Sequence, residues 1–141
     1  MRQKSLARLS PDADFRQRHS STGNSYRDAR VRAVFAMAPG LGPIFTPESL
    51  AKISISVAIV CGGADEVTPA ASSAEALAKA IPHATLQLFP RAGHFVFFDT
   101  CTRVGRVFLR AACGDPVGTS RAAVHAETIR LALDFFTANL R

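Results

Sequence analysis

A carboxylate and an imidazole, two groups that act together in hydrolytic catalysis, follow two consecutive apolar runs of this 141-residue chain. Asp65 comes shortly after the run Ile55 to Cys61, and His94 comes shortly after the run Ala84 to Phe89. A histidine can take a proton from an attacking group when a carboxylate holds its ring in one tautomer. The two residue types therefore indicate acid–base chemistry, although Asp65 after two glycines is also good turn chemistry.

The stretch between the two residues predicts how they are positioned. Both apolar runs have the length of buried strands, and the intervening stretch from Ala70 to Ile81 has a helical stripe formed by Ala74, Leu77, Ala78 and Ile81. Thr68-Pro69 has the composition of a helix start, with a hydroxyl cap followed by proline. Parallel strands joined by a helix end at the same edge of a sheet. We therefore expect the Asp65 carboxylate within or close to hydrogen-bonding reach of the His94 ring.

The remaining patterns predict an α/β fold of about three parallel strands with flanking helices. A further strand is expected from Val31 to Ala38, because its centre is apolar on both faces. Thr46-Pro47-Glu48 predicts a short helix, and Pro82 ends the helix that precedes the third strand. A final helix is expected from Arg121 to Leu140, with one apolar face made of Ile129, Ala132, Leu133, Phe136 and Leu140.

Composition and charge limit the classes of function. The chain is 48% hydrophobic and 20% charged, which is typical of a globular protein, and no apolar run approaches the roughly 20 residues of a membrane span. The net charge is +6, of which residues 1–32 carry +5. We expect a basic, irregular arm over residues 1–27 and the folded domain over residues 28–141. The arm lacks the interleaved aromatics of a nucleic-acid site, so binding of DNA or RNA is not expected.

The first residues predict no export signal. Met1-Arg2-Gln3-Lys4-Ser5 is basic, but no apolar segment follows it, and Asp12 and Asp14 oppose a transit peptide. A chain without such a signal would stay in the cytoplasm, but the first residues alone leave the localisation unknown.

Several motifs together resemble the α/β-hydrolases. Gly62-Gly63-Ala64-Asp65-Glu66-Val67-Thr68-Pro69 is similar to the loop that holds the acid of their triad, and Arg91-Ala92-Gly93-His94-Phe95 is similar to their histidine loop. A closer resemblance, to the bacterial dienelactone-hydrolase type, lies in residues 31–39, 98–102 and 121–140. The resemblance covers residues ~28–141 and implies a hydrolase of carboxylic esters or lactones without cofactor. It implies Asp65 as the acid and His94 as the general base, with Glu66 a weaker alternative acid.

The chain departs from this family at the nucleophile. The family carries it in Gly-x-Ser-x-Gly or a cysteine equivalent on a strand-to-helix elbow, and none of the eleven serines has that frame. Gly23-Asn24-Ser25 is the nearest match, but no strand precedes it. We therefore expect the C-terminal part of a hydrolase fold that is inactive alone. The alternative is a non-enzymatic protein that self-associates, or binds a partner, through the exposed edge of the Val31–Ala38 strand.

The cysteines and histidines predict no metal site. Cys61 ends an apolar strand and is expected to be a core residue, and His19, His83 and His125 lack ligand spacing with a cysteine or an acid. The family resemblance implies that Cys101 and Cys113 pair. Such a bridge is typical of an oxidising compartment, so the localisation stays open.

Overall fold

The computed structural model describes residues 12–20 and 24–140. The chain divides into two compact units, Met1–Arg30 and Val31–Arg141. In the first unit, helix α1 spans Ala13–Ser20, and the Asp12 carboxylate accepts a hydrogen bond from the Phe15 N–H at 2.9 Å. This stretch is helical where the sequence predicted an irregular arm, because Asp12 caps it. Residues 1–11 and 21–23 of the predicted arm lie outside the described residues.

The second unit is built on one parallel sheet. Strands β1 (Ala33–Met37), β2 (Ser56–Gly62) and β3 (Ala84–Phe89) lie in the order β1-β2-β3. Val57 of β2 pairs with Val34 of β1 and with Ala84 of β3. The predicted α/β class with three parallel strands is confirmed.

One face of the sheet is covered by the helices that connect its strands. Helix α2 spans Pro47–Leu50, and the Thr46 hydroxyl accepts a hydrogen bond from the Ser49 N–H at 3.2 Å, as the Thr-Pro-Glu sequence predicted. Helix α3 spans Ala74–Ala80 and is preceded by a 3₁₀ turn over Ala70–Ser72. Because the chain bends at Ser73, the predicted helix from Ala70 is two shorter pieces. The core of this face joins both helices to the middle strand and consists of Leu50, Val57, Ile59, Cys61, Ala74, Leu77 and Ile81.

The other face is covered by the long helix α6, Arg121–Asn139. The rings of Phe135 and Phe136 lie 6.1 and 6.3 Å from the ring of Phe35 on β1. On the β3 side the cover is incomplete, and a groove of about 230 Å³ remains between the sheet and Leu131. Helix α6 therefore packs over β1 and β2 more closely than over β3.

The predicted apolar face of α6 is, for the most part, not the buried one. Ile129 and Leu133 are 60% and 63% exposed, and Leu140 is also exposed, while Ala132 and Phe136 are half-buried. The buried stripe is displaced around the helix and contains the polar residues Arg121 and Thr128 beside Val124. A pattern of apolar residues alone could not locate a face on which buried polar groups are included.

A small lobe precedes α6. It contains helices α4 (Arg103–Phe108) and α5 (Arg110–Cys113), and a disulfide joins Cys101 to Cys113 with their Cα atoms 5.7 Å apart. Cys61 is fully buried and unpaired. Among the described residues, none of the helices is both long and apolar enough to cross a bilayer.

Arg121 connects this lobe to α6. Its side chain is 8% exposed and donates to the Asp115 carboxylate at 2.9 Å, to the carbonyl of Ala112 at 2.9 Å and to the carbonyl of Asp99 at 3.0 Å. Without Arg121, the Asp115 carboxylate and the two carbonyl oxygens would each lack this hydrogen-bond donor. A single guanidinium therefore closes the lobe against the start of the helix.

Arg121→Gln is expected to lower the free energy of unfolding by about 3 kcal/mol, because it leaves Asp115 and two carbonyls without their donor. Arg130→Gln is the matched control, since Arg130 is exposed on the same helix and pairs there with Glu127 and Asp134; its loss should cost far less. Urea unfolding measures both. Equal losses in the two variants would contradict the role given to Arg121.

Candidate functional site

The loops after β2 and β3 approach each other at the carboxyl edge of the sheet. The N–H of Gly63 donates to the carbonyl of Phe89 at 2.8 Å, and the N–H of Ala64 donates to the carbonyl of Ala92 at 3.0 Å. A Cβ atom on Gly62 would lie 2.2 Å from the Ala92 carbonyl oxygen. Only glycine therefore allows the two backbones this separation.

The Asp65 carboxylate is fully buried and has a hydrogen-bond donor at each oxygen. Its Oδ1 accepts from the N–H groups of Val67 at 2.9 Å and Thr68 at 2.7 Å. Its Oδ2 accepts from the Thr68 hydroxyl at 3.0 Å. Burial by itself raises the pKa of Asp65, but the bonds from Thr68 and His94 outweigh burial and hold the pKa below its usual range. The side chain is thus kept as a carboxylate.

His94 completes the arrangement from the other loop. Its Nδ1 lies 2.8 Å from Asp65 Oδ2 and 3.1 Å from the Thr68 hydroxyl oxygen. Because Oδ2 can only accept, Nδ1 carries the proton, and in the neutral ring Nε2 is then the basic nitrogen. The His94 side chain is 19% exposed. Within residues 31–140, its Nε2 makes no hydrogen bond, so the basic nitrogen is left available.

Helix α6 supports the turn that carries His94. This 3₁₀ turn spans His94–Phe97, and His125 Nε2 donates to its Val96 carbonyl at 2.7 Å. Val96 is 1% exposed and packs with Ala92 and Val124. The Thr119 hydroxyl donates to the Arg91 carbonyl at 2.8 Å on the other side of the loop. The imidazole therefore projects from a backbone held at several points.

Sequence reasoning missed two residues of the site. Thr68 was predicted to cap a helix, but its hydroxyl bonds Asp65, so that prediction is wrong. A signal for the turn itself was present at Asp65, because an Asp side chain often hydrogen-bonds the backbone two residues on, as it does here with the Val67 N–H. The sequence indicated His125 only as a histidine without metal-ligand spacing. Glu66, the weaker alternative acid, is exposed and forms no hydrogen bond with His94 in the described residues.

The site contains no visible nucleophile within residues 31–140, since no serine or cysteine side chain there hydrogen-bonds to His94. Cys61 is ruled out by its surroundings, because burial and the neighbouring Asp65 carboxylate raise the pKa of its thiol to about 11. Ser25 belongs to the first unit, where its exposed hydroxyl accepts from the Arg27 N–H at 3.4 Å; Gly23 of its motif lies outside the described residues.

Comparison with known proteins adds no relationship: no protein family and no curated protein matches the chain. Over the described part of the chain, no group of three or more histidine, cysteine or acidic side chains is placed to bind a metal ion. The chemistry open to the chain therefore follows from the geometry of Asp65, Thr68 and His94.

Asp65→Asn is expected to lower the free energy of unfolding by about 2 kcal/mol near pH 7, because an amide nitrogen would face donors. The pKa of Asp65 is depressed in the folded state. Above the pKa of about 3.9 that an Asp has in the unfolded chain, ionised Asp65 therefore contributes fully to the free energy of unfolding. That contribution is lost as the pH falls through the pKa of the folded state. The difference in the free energy of unfolding between wild type and Asp65→Asn should thus become smaller below about pH 4.

Urea unfolding across this pH range measures the difference, with the exposed neighbour Glu66→Gln as control. A difference that stays constant into strong acid would contradict the depressed pKa of Asp65.

Proposed function

We propose that Asp65 and His94 are the orienting acid and the general base of a carboxylic-ester or lactone hydrolase of the dienelactone-hydrolase type, acting without cofactor. The observation that carries the proposal is the 2.8 Å hydrogen bond from His94 Nδ1 to a fully buried carboxylate. This arrangement supplies what proton removal from an attacking hydroxyl needs: a fixed tautomer and a negative charge to stabilise the imidazolium.

Thr68 is proposed as a positioning residue of this pair. Its hydroxyl donates to the same Asp65 oxygen that binds His94, and it lies 3.1 Å from His94 Nδ1. The backbone N–H of Thr68 binds the other carboxylate oxygen. With both oxygens held in this way, the carboxylate has little freedom to rotate away from the ring. The hydroxyl thus helps to hold the imidazole plane.

None of the side chains that hydrogen-bond to His94 within residues 31–140 is proposed as the attacking group. We propose that this chain carries the acid and base part of the hydrolase and that a segment outside those residues supplies the nucleophile. On its own the chain is expected to hydrolyse p-nitrophenyl acetate near the background rate, because acyl transfer by this route needs an attacking side chain within hydrogen-bond reach of the base.

An external alcohol can substitute for the nucleophile and so test the base directly. The chain is expected to accelerate acetyl transfer from p-nitrophenyl acetate to added trifluoroethanol, measured as trifluoroethyl acetate. His94→Ala should abolish the acceleration and Asp65→Asn should reduce it about as far, since the tautomer is lost. Thr68→Val should give an intermediate rate, and Thr68→Ser should restore it.

His83→Ala is the matched control, because His83 is an exposed histidine at a turn and reports the reactivity of any protein imidazole. An acceleration that falls equally in the His83 and His94 variants, or one that is absent in wild type, would refute His94 as the base.

A second candidate function, self-association through the sheet edge, is favoured by the contrast between the two edge strands. On β3 the exposed positions are the polar residues Thr85 and Gln87, whereas β1 is apolar throughout. Phe136 packs on β1, and the exposed Ile129 and Leu133 lie further around α6 on the same flank. Within residues 31–140 no strand pairs with the outer edge of β1. An apolar edge strand beneath an apolar helix flank suits a second copy that pairs along β1.

If this second candidate is correct, the purified chain should sediment as a dimer, and Leu133→Lys should raise the dissociation constant about tenfold or more. Val117→Lys is the control, because Val117 is 99% exposed in the loop before α6. A monomer at all accessible concentrations would exclude self-association.

A further inference from the structure

The outer surface of the disulfide lobe combines exposed apolar and basic side chains. Val104, Val107 and Phe108 are 65%, 61% and 79% exposed, and Leu109, which follows them, is 61% exposed. The first three lie at positions i, i+3 and i+4 of helix α4 and therefore share one face. Large apolar side chains this close together form a continuous patch, where isolated ones would be ordinary.

The Cys101–Cys113 bridge lies on the inner side of the lobe, where a Cβ on Gly105 would be in van der Waals contact with Cys113 Sγ, at 3.6 Å. Arg121, at the start of α6, donates hydrogen bonds to the carbonyl oxygens of Asp99 and Ala112. The disulfide and the guanidinium thus fix the lobe with its apolar residues facing solvent.

The charged side chains of the segment between Thr100 and Gly114 are all basic. Arg103, Arg106 and Arg110 are exposed, and no acidic residue occurs between Thr100 and Gly114. In the described part of the chain, none of these three arginines forms an ion pair. The nearest acids along the chain are Asp99 and Asp115, and Asp115 is already bound to Arg121. The patch is therefore complementary to a surface that is anionic outside and apolar beneath.

We propose that the outer face of α4 and α5 is a docking surface for an anionic lipid bilayer. Phe108 and its apolar neighbours would enter the acyl boundary, and the arginines would lie among the headgroup phosphates with their stems along the apolar layer. Helices of six and four residues are too short to bind as flexible peptides, but the disulfide preforms them and so lowers the cost of ordering.

This inference goes beyond the proposed hydrolase and does not depend on it, since it concerns where the chain binds. The two sites are nevertheless neighbours, because α5 packs against the His94–Phe97 turn. A chain bound through the lobe would hold His94 close to the lipid surface.

The chain contains no tryptophan, so one introduced tryptophan reports its own surroundings. Phe108→Trp is expected to show blue-shifted emission and quenching by brominated lipids on vesicles of phosphatidylcholine and phosphatidylglycerol in equal parts. Pure phosphatidylcholine should give neither effect. Ile129→Trp, at a comparably exposed site on the outer side of α6, is the control and should not be quenched.

The charge requirement is tested in the Phe108→Trp background. Replacing Arg103 and Arg110 by glutamine should lower partitioning about thirtyfold, since each arginine near an anionic surface contributes about fivefold. Replacing the exposed Lys52 and Lys79 by glutamine removes the same net charge elsewhere and should change partitioning much less.

Three results would overturn the proposal. Vesicle binding of the Phe108→Trp variant without quenching of its tryptophan would mean that another basic segment, such as the arm, binds the lipid. If the arginine and lysine replacements lowered partitioning onto vesicles equally, binding would depend only on the net charge of the protein and not on this patch. A blue shift of the introduced tryptophan that grows with protein concentration in the absence of vesicles would assign the patch to a second copy of the chain.

Discussion

At Gly62 the backbones of two loops lie so close that no side chain fits between them, and the whole candidate site depends on that contact. A Cβ there would meet the Ala92 carbonyl at 2.2 Å, and the hydrogen bonds from Gly63 and Ala64 cross the same gap. Because β2 and β3 are parallel neighbours, both loops leave the sheet at one edge. The short separation of the loops then becomes a short separation of the Asp65 and His94 side chains.

Burying a carboxylate at this contact is costly unless its oxygens are satisfied. Asp65 meets the condition locally, since two backbone N–H groups and one hydroxyl come from the next three residues. His94 supplies only one further hydrogen bond, from its Nδ1 to Oδ2. The acid is therefore organised by its own loop, and the imidazole docks onto a group that is already ionised and oriented.

The sequence predicted the parts of the molecule that follow from apolar runs and strand topology. All three strands were predicted from short, mainly apolar stretches, and the closeness of Asp65 to His94 followed from their place after neighbouring strands. Thr68 could not be assigned in this way, because a threonine before proline suits a helix cap as well as a turn. On α6 the buried face includes Arg121 and Thr128. Because these residues are polar, a pattern of apolar residues does not identify this face. At Thr68 and Arg121 side-chain hydrogen bonds decide the structure, and a pattern of apolar residues does not report them.

Helix α6 connects features that lie far apart along the sequence. Its first residue, Arg121, holds the disulfide lobe, and the next turn holds the histidine loop through Val124 and His125. Near its end, Phe135 and Phe136 pack on β1. Since a helix is stiff along its axis, these three contacts fix one another's positions on the sheet. The lobe and His94 are thus held by adjacent turns of one rigid element, and a displacement of α6 on the sheet would move both together.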